Sequence, residues 1–340
     1  MEGAARALAH RSLFVRLGRW SSVLYGLAGL VLGFLVSIGL GVFTPAGAGG
    51  VASALAGVFT SPGSWPLAFP YYAAILFSAV GLAVAYRSGF ITIGADGQLI
   101  VGMVVAFWLL YFHGMGLAVA LIVAGLVGAL YGLAVAVLRV WLGVNETLSS
   151  LMLNYVAVAL VNYLVGGPWS SGGFTKTPLL PSSVSMSVSS AALLATLSAV
   201  GVWLLYRYTR LGVAVDAVGG SRRAAETYGA SFAKTILVVA LLGGFLGGLG
   251  GAVYLVAGQR QITSLNIYQG LGYGYMGILA AWLAWLNPLA TIASSLFIAL
   301  LYLANTGLQL QGVPWSFALG FQAVIVLFVT AFLRLSRREA

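Results

Sequence analysis

Ten long apolar blocks are the feature of this sequence that most restricts how the chain can fold. Only 6% of its 340 residues are charged and 61% are hydrophobic, whereas soluble domains carry about 25% charged residues. A bilayer core about 30 Å thick takes roughly 20 apolar residues per helical crossing, and the blocks are too long for strands of a membrane barrel. The sequence therefore predicts an all-α, polytopic transmembrane helical bundle of about ten spans. The blocks fall near 22–43, 69–86, 91–112, 115–138, 147–166, 188–206, 235–257, 271–286, 289–308 and 315–333.

The N-terminal sequence imitates a cleaved secretory signal. Three arginines precede the first apolar block, and Ala46-Gly47-Ala48 follows it. The block is longer than the apolar core of a signal, which spans about 7–15 residues. We therefore expect a retained first span after a cytoplasmic segment, 1–21, with a cleaved signal as the alternative. No polar stretch is long enough for a soluble domain, so 1–340 is predicted to form a single transmembrane domain.

The basic residues indicate the orientation in the cell membrane. With the N-terminus in the cytoplasm, only Lys176 and Arg260 of the 16 lysines and arginines fall outside. Such residues concentrate in cytoplasmic loops, so both termini are predicted to be cytoplasmic. The same bias explains the net charge of +10 without nucleic acid, which would need basic residues clustered on one surface. The predicted cytoplasmic residues are Arg6, Arg11, Arg16, Arg19, Arg87, Arg139, Arg207, Arg210, Arg222, Arg223, Lys234, Arg334, Arg337 and Arg338.

The composition excludes several kinds of chemistry. Cysteine is absent and there are 2 histidines, so disulfides, iron–sulfur clusters and a convincing metal site are not expected. With 6 acids, no catalytic set can be assembled, which disfavours an enzyme. Lys176 and Lys234 do not follow glycine, so the Gly-Lys of a phosphate-binding P-loop is absent. We expect no cofactor in this chain, and ATP with Mg²⁺ would have to bind a separate subunit.

Glycines crowd the seventh block. In the run Gly243–Gly251, glycines at spacing four form two ridges on a helix. Small residues at this spacing let helix backbones approach closely, so close packing is the expected role. A hinge is the alternative, because glycine also loosens a helix.

The third block has a polar start. Ile93-Gly94-Ala95-Asp96-Gly97-Gln98 places two glycines and an acid at its head, which suits a broken or re-entrant helix. Asp96 can cap exposed amides there, or it can line a transport pathway. We expect Asp96 and Glu146 to lie beside the cytoplasmic ends of their blocks, which leaves no acid clearly at the midplane and disfavours an ion-coupled carrier.

The fifth block carries recurring polar residues. Glu146, Asn154 and Asn162 lie at spacing eight and share one helix face. They can line a wet channel, or they can form hydrogen bonds between helices. The candidates for the translocation pathway are Gly94, Asp96, Gln98, Glu146, Asn154 and Asn162.

Two loops are longer than the other connections. Gly166–Ser187, outside, is rich in Gly, Pro and Ser and is predicted to be irregular and exposed. The cytoplasmic loop 207–234 contains a helix signal: Ser221 can cap Arg222–Tyr228, and Gly229 can end that helix. Arg222 and Glu226 would then face each other four residues apart.

Several of these segments together resemble the permease family of sugar, nucleoside and branched-chain amino-acid ABC importers. The segment 93–98 is similar to the family's Asn-Ile-Gly-Ala-Glu-Gly-Gln, from which Thr92 and Asp96 depart. Asn145-Glu146-Thr147 and Met152-Leu153-Asn154-Tyr155 resemble the nucleoside and simple-sugar branch. Further similar segments are Ala217-Val218-Gly219, Arg223-Ala224-Ala225, Tyr228-Gly229, Gly272-Tyr273-Gly274-Tyr275 and Asn287-Pro288-Leu289.

The resemblance covers roughly 65–335 and implies a homo- or heterodimeric pore of permease subunits. It also implies two ATPase subunits on the cytoplasmic side and an extracytoplasmic substrate-binding lipoprotein. Coupling would run through the loop 207–234, whose small apolar residues suit a non-polar docking face. The residues it assigns to coupling are Gly219, Arg223, Ala224, Ala225, Glu226, Tyr228 and Gly229.

The resemblance favours nucleosides as the substrate over simple sugars such as ribose, with amino acids behind both. The chain also has 16 Tyr, 17 Phe and 9 Trp residues, which can stack on a base but which membrane interfaces enrich as well. A secondary carrier driven by an ion gradient is the main alternative to an ATP-driven importer.

The orientation gives a first test. Cysteines introduced as Lys176→Cys and Arg260→Cys should react with an impermeant thiol reagent from outside the cell, and Arg222→Cys only after the cytoplasmic side is opened. The native chain has no cysteine, so labelling reports each position alone. Labelling of position 176 from the cytoplasmic side alone would overturn the orientation.

Overall fold

The computed structural model describes residues 27–227, 229–265 and 270–336, and the regular elements in these ranges are helices. The all-α prediction is confirmed. Seven helices in the described part are long and apolar enough to cross a bilayer. The helices are α1 (Leu27–Phe43), α2 (Gly47–Thr60), α3 (Phe69–Arg87), α4 (Ala95–Phe107), α5 (Leu117–Leu142), α6 (Glu146–Gly166), α7 (Val188–Tyr208), α8 (Arg210–Gly220), α9 (Arg222–Thr227), α10 (Phe232–Ala257), α11 (Tyr273–Leu283), α12 (Thr291–Leu310) and α13 (Trp315–Ser336).

The predicted count of about ten spans is not confirmed. Each predicted block contains a helix, but α11 has only 11 residues, about 16 Å of helix, which is half a hydrocarbon core. The start of the first block and the segment 1–21 lie outside the described residues. Helices α2 and α8 were not predicted, because both mix glycine or polar residues into short apolar stretches.

The chain divides into two compact units. The smaller contains residues 27–62 and 300–336. In it α1 and α13 pack closely, since a Cβ added at Gly33 would lie 2.8 Å from the Ile325 Cα. A buried amide pair joins α12 to α13, where Asn305 Nδ2 donates to Gln322 Oε1 at 3.0 Å. The larger unit, residues 63–299, holds all the described candidate residues.

Helix α10 is the central helix of the larger unit and packs on α3, α4 and α5. A Cβ added at Gly251 would overlap the Leu99 carbonyl oxygen of α4, and one at Gly244 would overlap the Gly128 carbonyl oxygen of α5. The backbones therefore touch where the glycine ridges run. This confirms the prediction of close packing, and the hinge stays a prediction.

Two helices begin inside the larger unit rather than at its ends. α4 follows the non-helical stretch 88–94, and α11 follows 258–272, of which 266–269 are not described. Asn154 forms hydrogen bonds with the first turns of both α4 and α11. It lies about 12 Å along α6 from Glu146, the first residue of that helix. The predicted broken start of the third block is confirmed. The position expected for Asp96 is wrong, because 88–94 carries the chain inward before α4 begins.

Two extended loop segments pair at one end of the larger unit, which we call the paired-loop face. It consists of 170–187 and 258–265. The Thr177 N–H donates to the Ile262 carbonyl at 2.8 Å, and the Leu180 N–H donates to the Arg260 carbonyl at 2.8 Å. The loop 166–187 is irregular and most of its residues are exposed, as predicted, and the pairing satisfies backbone groups that the loop alone would leave to water.

Helices α8 and α9 lie at the other end of α10, and we call this end the α8–α9 face. The predicted short helix is confirmed in α9, where Arg222 Nε lies 3.1 Å from Glu226 Oε1. The loop's small apolar residues were expected to form a docking face. Val215, Val218 and Ala225 instead have exposed fractions of 0%, 5% and 1%. They are buried within the protein, so that expectation is wrong for these three.

Candidate functional site

The starts of α4 and α11 meet at Asp96, inside the larger unit. The Asp96 carboxylate accepts the Leu271 N–H at 3.0 Å and the Gly274 N–H at 3.1 Å. It therefore caps α11, whereas the N-cap of its own helix, Gly94, makes no side-chain cap bond. The prediction that Asp96 caps amides holds for a different helix from the one expected. The capped amides belong to a segment about 175 residues later, which spacing along the sequence does not show.

Glycines make this contact possible. Gly270 and Gly272 have φ of +59° and +81°, a conformation that side chains with a Cβ disfavour. A Cβ added at Gly270 would overlap the Asp96 carboxylate, and one added at Gly274 would overlap the Asp96 backbone nitrogen. The Gly-Tyr-Gly-Tyr segment is thus explained by how closely α11 approaches α4.

Asn154 joins three elements around the same point. Its Oδ1 accepts the Gly97 N–H at 2.9 Å, and its Nδ2 donates to the Ile93 carbonyl at 2.9 Å and to the Tyr275 hydroxyl at 3.1 Å. The side chain is buried. Asn154 thus ties α6 to the start of α4 and to the first turn of α11.

Asn162 holds the other non-helical stretch. Its Nδ2 donates to the Leu265 carbonyl at 3.1 Å, and its Oδ1 accepts the Leu265 N–H at 2.8 Å. Asn154 and Asn162 therefore anchor one non-helical stretch each. Both side chains thus form hydrogen bonds inside the protein, which was one of the two roles considered from the sequence. The other role, lining a channel, stays a prediction.

Gly94 and Gln98 lie beside Asp96. A Cβ added at Gly94 would approach the Ser150 Cβ at 3.1 Å, so glycine keeps α4 close to α6. Gln98 is buried and lines a cavity of about 10 Å³ together with Thr92 and Ser78, which is room for one water molecule.

Glu146 lies apart from this cluster, at the base of α6. Its carboxylate pairs with Arg139 Nε at 3.1 Å and accepts the Ile91 N–H at 3.3 Å. The structure thus brings together four of the six pathway candidates, Gly94, Asp96, Gln98 and Asn154, and separates Glu146 and Asn162 from them. Across 27–227, 229–265 and 270–336, no three of His, Asp and Glu lie close enough to hold a metal ion.

The residues assigned to coupling divide into packed and exposed ones. A Cβ added at Gly219 would overlap the Arg87 carbonyl oxygen, so α8 rests on the end of α3. Arg223 and Glu226 are exposed. Gly229 has φ +83° and turns the chain after α9. Of the rest, Ala225 is buried, Ala224 lies in α9, and Tyr228 is outside the described residues.

Sequence reasoning missed a contact centre at the α8–α9 face. Arg87 Nε donates to the Leu286 carbonyl just beyond α11 at 2.9 Å. The same guanidinium donates to the Tyr206 hydroxyl of α7 and lies 3.6 Å from Asp216 Oδ1 of α8. From the sequence, Arg87 served only as one of the basic residues that indicate the orientation in the membrane. The one sign in the sequence that Arg87 has an acidic partner was Asp216, which is an acid in a mostly basic loop.

These features define the class of protein: a polytopic helical membrane protein with two broken helices that meet inside it. Non-helical backbone at membrane depth is tolerated only where protein covers it or where it lines a water-filled cavity. The family model for the permease component of the branched-chain amino acid transport system matches residues 67–330. The chain belongs to this family, which confirms the resemblance seen in the sequence.

Curated relatives agree with this assignment. The chain is 26% identical to the guanosine ABC transporter permease protein NupP of Bacillus subtilis, over 75% of this chain and 78% of that protein. It is 29% identical to the glucose ABC transporter permease protein TsgB13 of Haloferax volcanii, over 75% and 73%. It is 24% identical to the nucleoside permease protein NupB of Lactococcus lactis, over 75% and 76%. No solved structure matches. The protein is a membrane transport subunit rather than an enzyme.

The Asp96 cap yields a stability prediction. Asp96→Ala should lower the thermal unfolding midpoint in detergent, because two buried amides lose their acceptor at about 1–3 kcal/mol each. Asp96→Asn keeps one acceptor oxygen and should fall between Asp96→Ala and the native protein. Glu226→Ala, which removes only an exposed ion pair, is the control and should change little. An unchanged midpoint for Asp96→Ala would contradict the cap.

Proposed function

We propose that the chain is the permease subunit of an ATP-driven importer of nucleosides. The observation that carries the proposal is the family match over residues 67–330, together with relatives named as guanosine and nucleoside permeases. Import of simple sugars is the second candidate, because a relative of similar identity is named as a glucose permease. The three relatives reported above are each named as ABC transporter permeases, which speaks against an ion-coupled carrier.

The proposed assembly contains two permease subunits, identical or paralogous, and two ATPase subunits that hold ATP and Mg²⁺. An extracytoplasmic binding lipoprotein delivers the substrate. In the proposed orientation the α8–α9 face is cytoplasmic. The distribution of charge supports it, since Arg87, Arg139, Arg222 and Arg223 belong to that end, while Lys176 and Arg260 belong to the paired-loop face. The pattern of basic residues along the sequence supports the further proposal that both termini are cytoplasmic.

The exposed side of α8 and α9 is the proposed contact with the ATPase. Val213 is 73% exposed, and Arg223 and Glu226 are exposed as well, whereas the small apolar residues beneath them are packed inside. Arginine is enriched among the residues that contribute most to binding at protein interfaces. From α8, the bonds of Arg87 lead to the end of α11, and α11 leads to Asp96 at the helix break.

The proposed contact predicts a charge-reversal phenotype. Arg223→Glu should weaken co-purification with the ATPase about tenfold and lower uptake in proportion, because Arg223 is exposed and its loss leaves the fold intact. Arg260→Glu makes the same charge change on the paired-loop face and serves as the control for expression and insertion. Normal ATPase binding and uptake by Arg223→Glu would remove this residue from the interface.

The substrate is tested in the whole assembly. The permease, its ATPase and its binding protein are reconstituted in vesicles, and ATP-dependent uptake of labelled guanosine, adenosine, ribose, glucose and leucine is measured. We expect uptake of the two nucleosides, with each competing against the other. Uptake of a sugar or leucine without competition from any nucleoside would reject the nucleoside assignment. Uptake that continues without ATP would reject an ATP-driven importer.

A further inference from the structure

Tyr275 carries a hydroxyl group at the helix break whose proton has no acceptor among the described residues. Its oxygen accepts the hydrogen bond from Asn154 Nδ2, and no described residue accepts the proton of this hydroxyl. A phenol can donate one hydrogen bond while it accepts another. Because Asn154 is buried and is itself fixed by Ile93 and Gly97, it holds the Tyr275 oxygen in place. The Tyr275 side chain is only partly buried, so its proton can reach a molecule outside the chain.

Tyr155 adds an exposed aromatic ring at the same depth. It directly follows Asn154 on α6, and 37% of it is exposed. It lies nine residues, about 13 Å, from the start of a helix of 21 residues, which is near the middle of that helix. Tyrosines of membrane proteins concentrate at the two interfaces rather than midway. The position of Tyr155 is therefore unusual for a side chain that faces only lipid.

The surroundings also fit water better than lipid. The two non-helical stretches reach this level, and such backbone is tolerated at membrane depth only inside protein or beside an aqueous cavity. A hydroxyl donor without an acceptor is costly against hydrocarbon. The groups available here are the Tyr275 hydroxyl and the Tyr155 ring, because the Asn154 amide is buried and already bonded. Both oxygens of the nearby Asp96 carboxylate are already bonded to backbone amides.

We propose that Tyr155 and Tyr275 form a contact site for the transported solute, with Asn154 as the residue that positions Tyr275. The Tyr155 ring face would stack on a planar base. The Tyr275 hydroxyl would donate to an acceptor on the base or the ribose. The site suits an uncharged aromatic solute, because both oxygens of the nearby Asp96 carboxylate are already bonded to backbone amides. The inference rests on the proposed nucleoside import and assigns that function to particular side chains.

The test uses cysteine accessibility in the reconstituted assembly. Tyr155→Cys is treated with a membrane-impermeant methanethiosulfonate reagent, with and without guanosine. Leu197→Cys on α7 is the matched control, since Leu197 is 58% exposed and also lies nine residues into its helix. We expect the cysteine at 155 to react and guanosine to slow the reaction at least about fivefold, as occupancy of a shared site requires. The cysteine at 197 should stay unreacted.

The outcomes separate this inference from the proposed function. If position 155 is as unreactive as position 197 while the native assembly still imports nucleosides, the contact site is wrong and the function stands. If ribose or glucose protects position 155 and nucleosides do not, the site holds a different substrate and the nucleoside assignment fails. Reaction at 155 that no transported solute slows would also overturn the contact site.

A second variant tests the hydroxyl group itself. Tyr275→Phe should lower nucleoside uptake about tenfold, since one hydrogen bond to the solute is lost, and should leave insertion and ATPase binding unchanged. Tyr72→Phe removes a hydroxyl that lies 2.8 Å from the Thr196 hydroxyl of α7 and takes no part in the bonds of Asn154 and Tyr275, so it should keep native uptake. Native uptake by Tyr275→Phe would exclude a role for this hydroxyl.

Discussion

Backbone contact along α10 is the constraint on which the rest of the larger unit depends. The glycines of this helix let α3, α4 and α5 approach until main chains touch, as at Gly81 of α3, where an added Cβ would lie 2.8 Å from the Gly243 Cα. In lipid, helices gain little from hiding apolar surface and associate through such close packing. With three helices held this near to α10, α4 can begin deep in the unit and still be covered on its other sides.

The broken helices create a problem that three side chains solve. A helix that starts in the interior exposes amide groups that have no partner within the helix. Asp96 satisfies amides at the start of α11, and Asn154 and Asn162 satisfy backbone groups of the two non-helical stretches. The polar groups of these three residues therefore stabilise the fold. The hydroxyl of the neighbouring Tyr275 stays accessible to a solute.

The fold class and the family were predictable, because hydropathy and ordered short segments are properties of the sequence itself. The broken start of α4 was predictable from Gly94, Asp96 and Gly97. The second break at α11 was not, since an apolar block of 16 residues gives no sign that its first turn lies inside the protein. The partner of Asp96 was also hidden, because it is far away in sequence. Burial of Val215 and Ala225 was missed because small apolar residues suit an inner packing surface as well as a docking face.

The shortness of α11 has a mechanical consequence. Its amide end is held by Asp96 and the turn beyond its carbonyl end by Arg87, which also touches α7 and α8. Three turns of helix are too short to bend appreciably, so the element behaves as a rod fixed at both ends. A shift of Arg87 that preserves its bond to Leu286 would therefore be transmitted along α11 to its contact with Asp96 and to Tyr275. One short, stiff helix thus connects the α8–α9 face of this protein to the helix break in its interior.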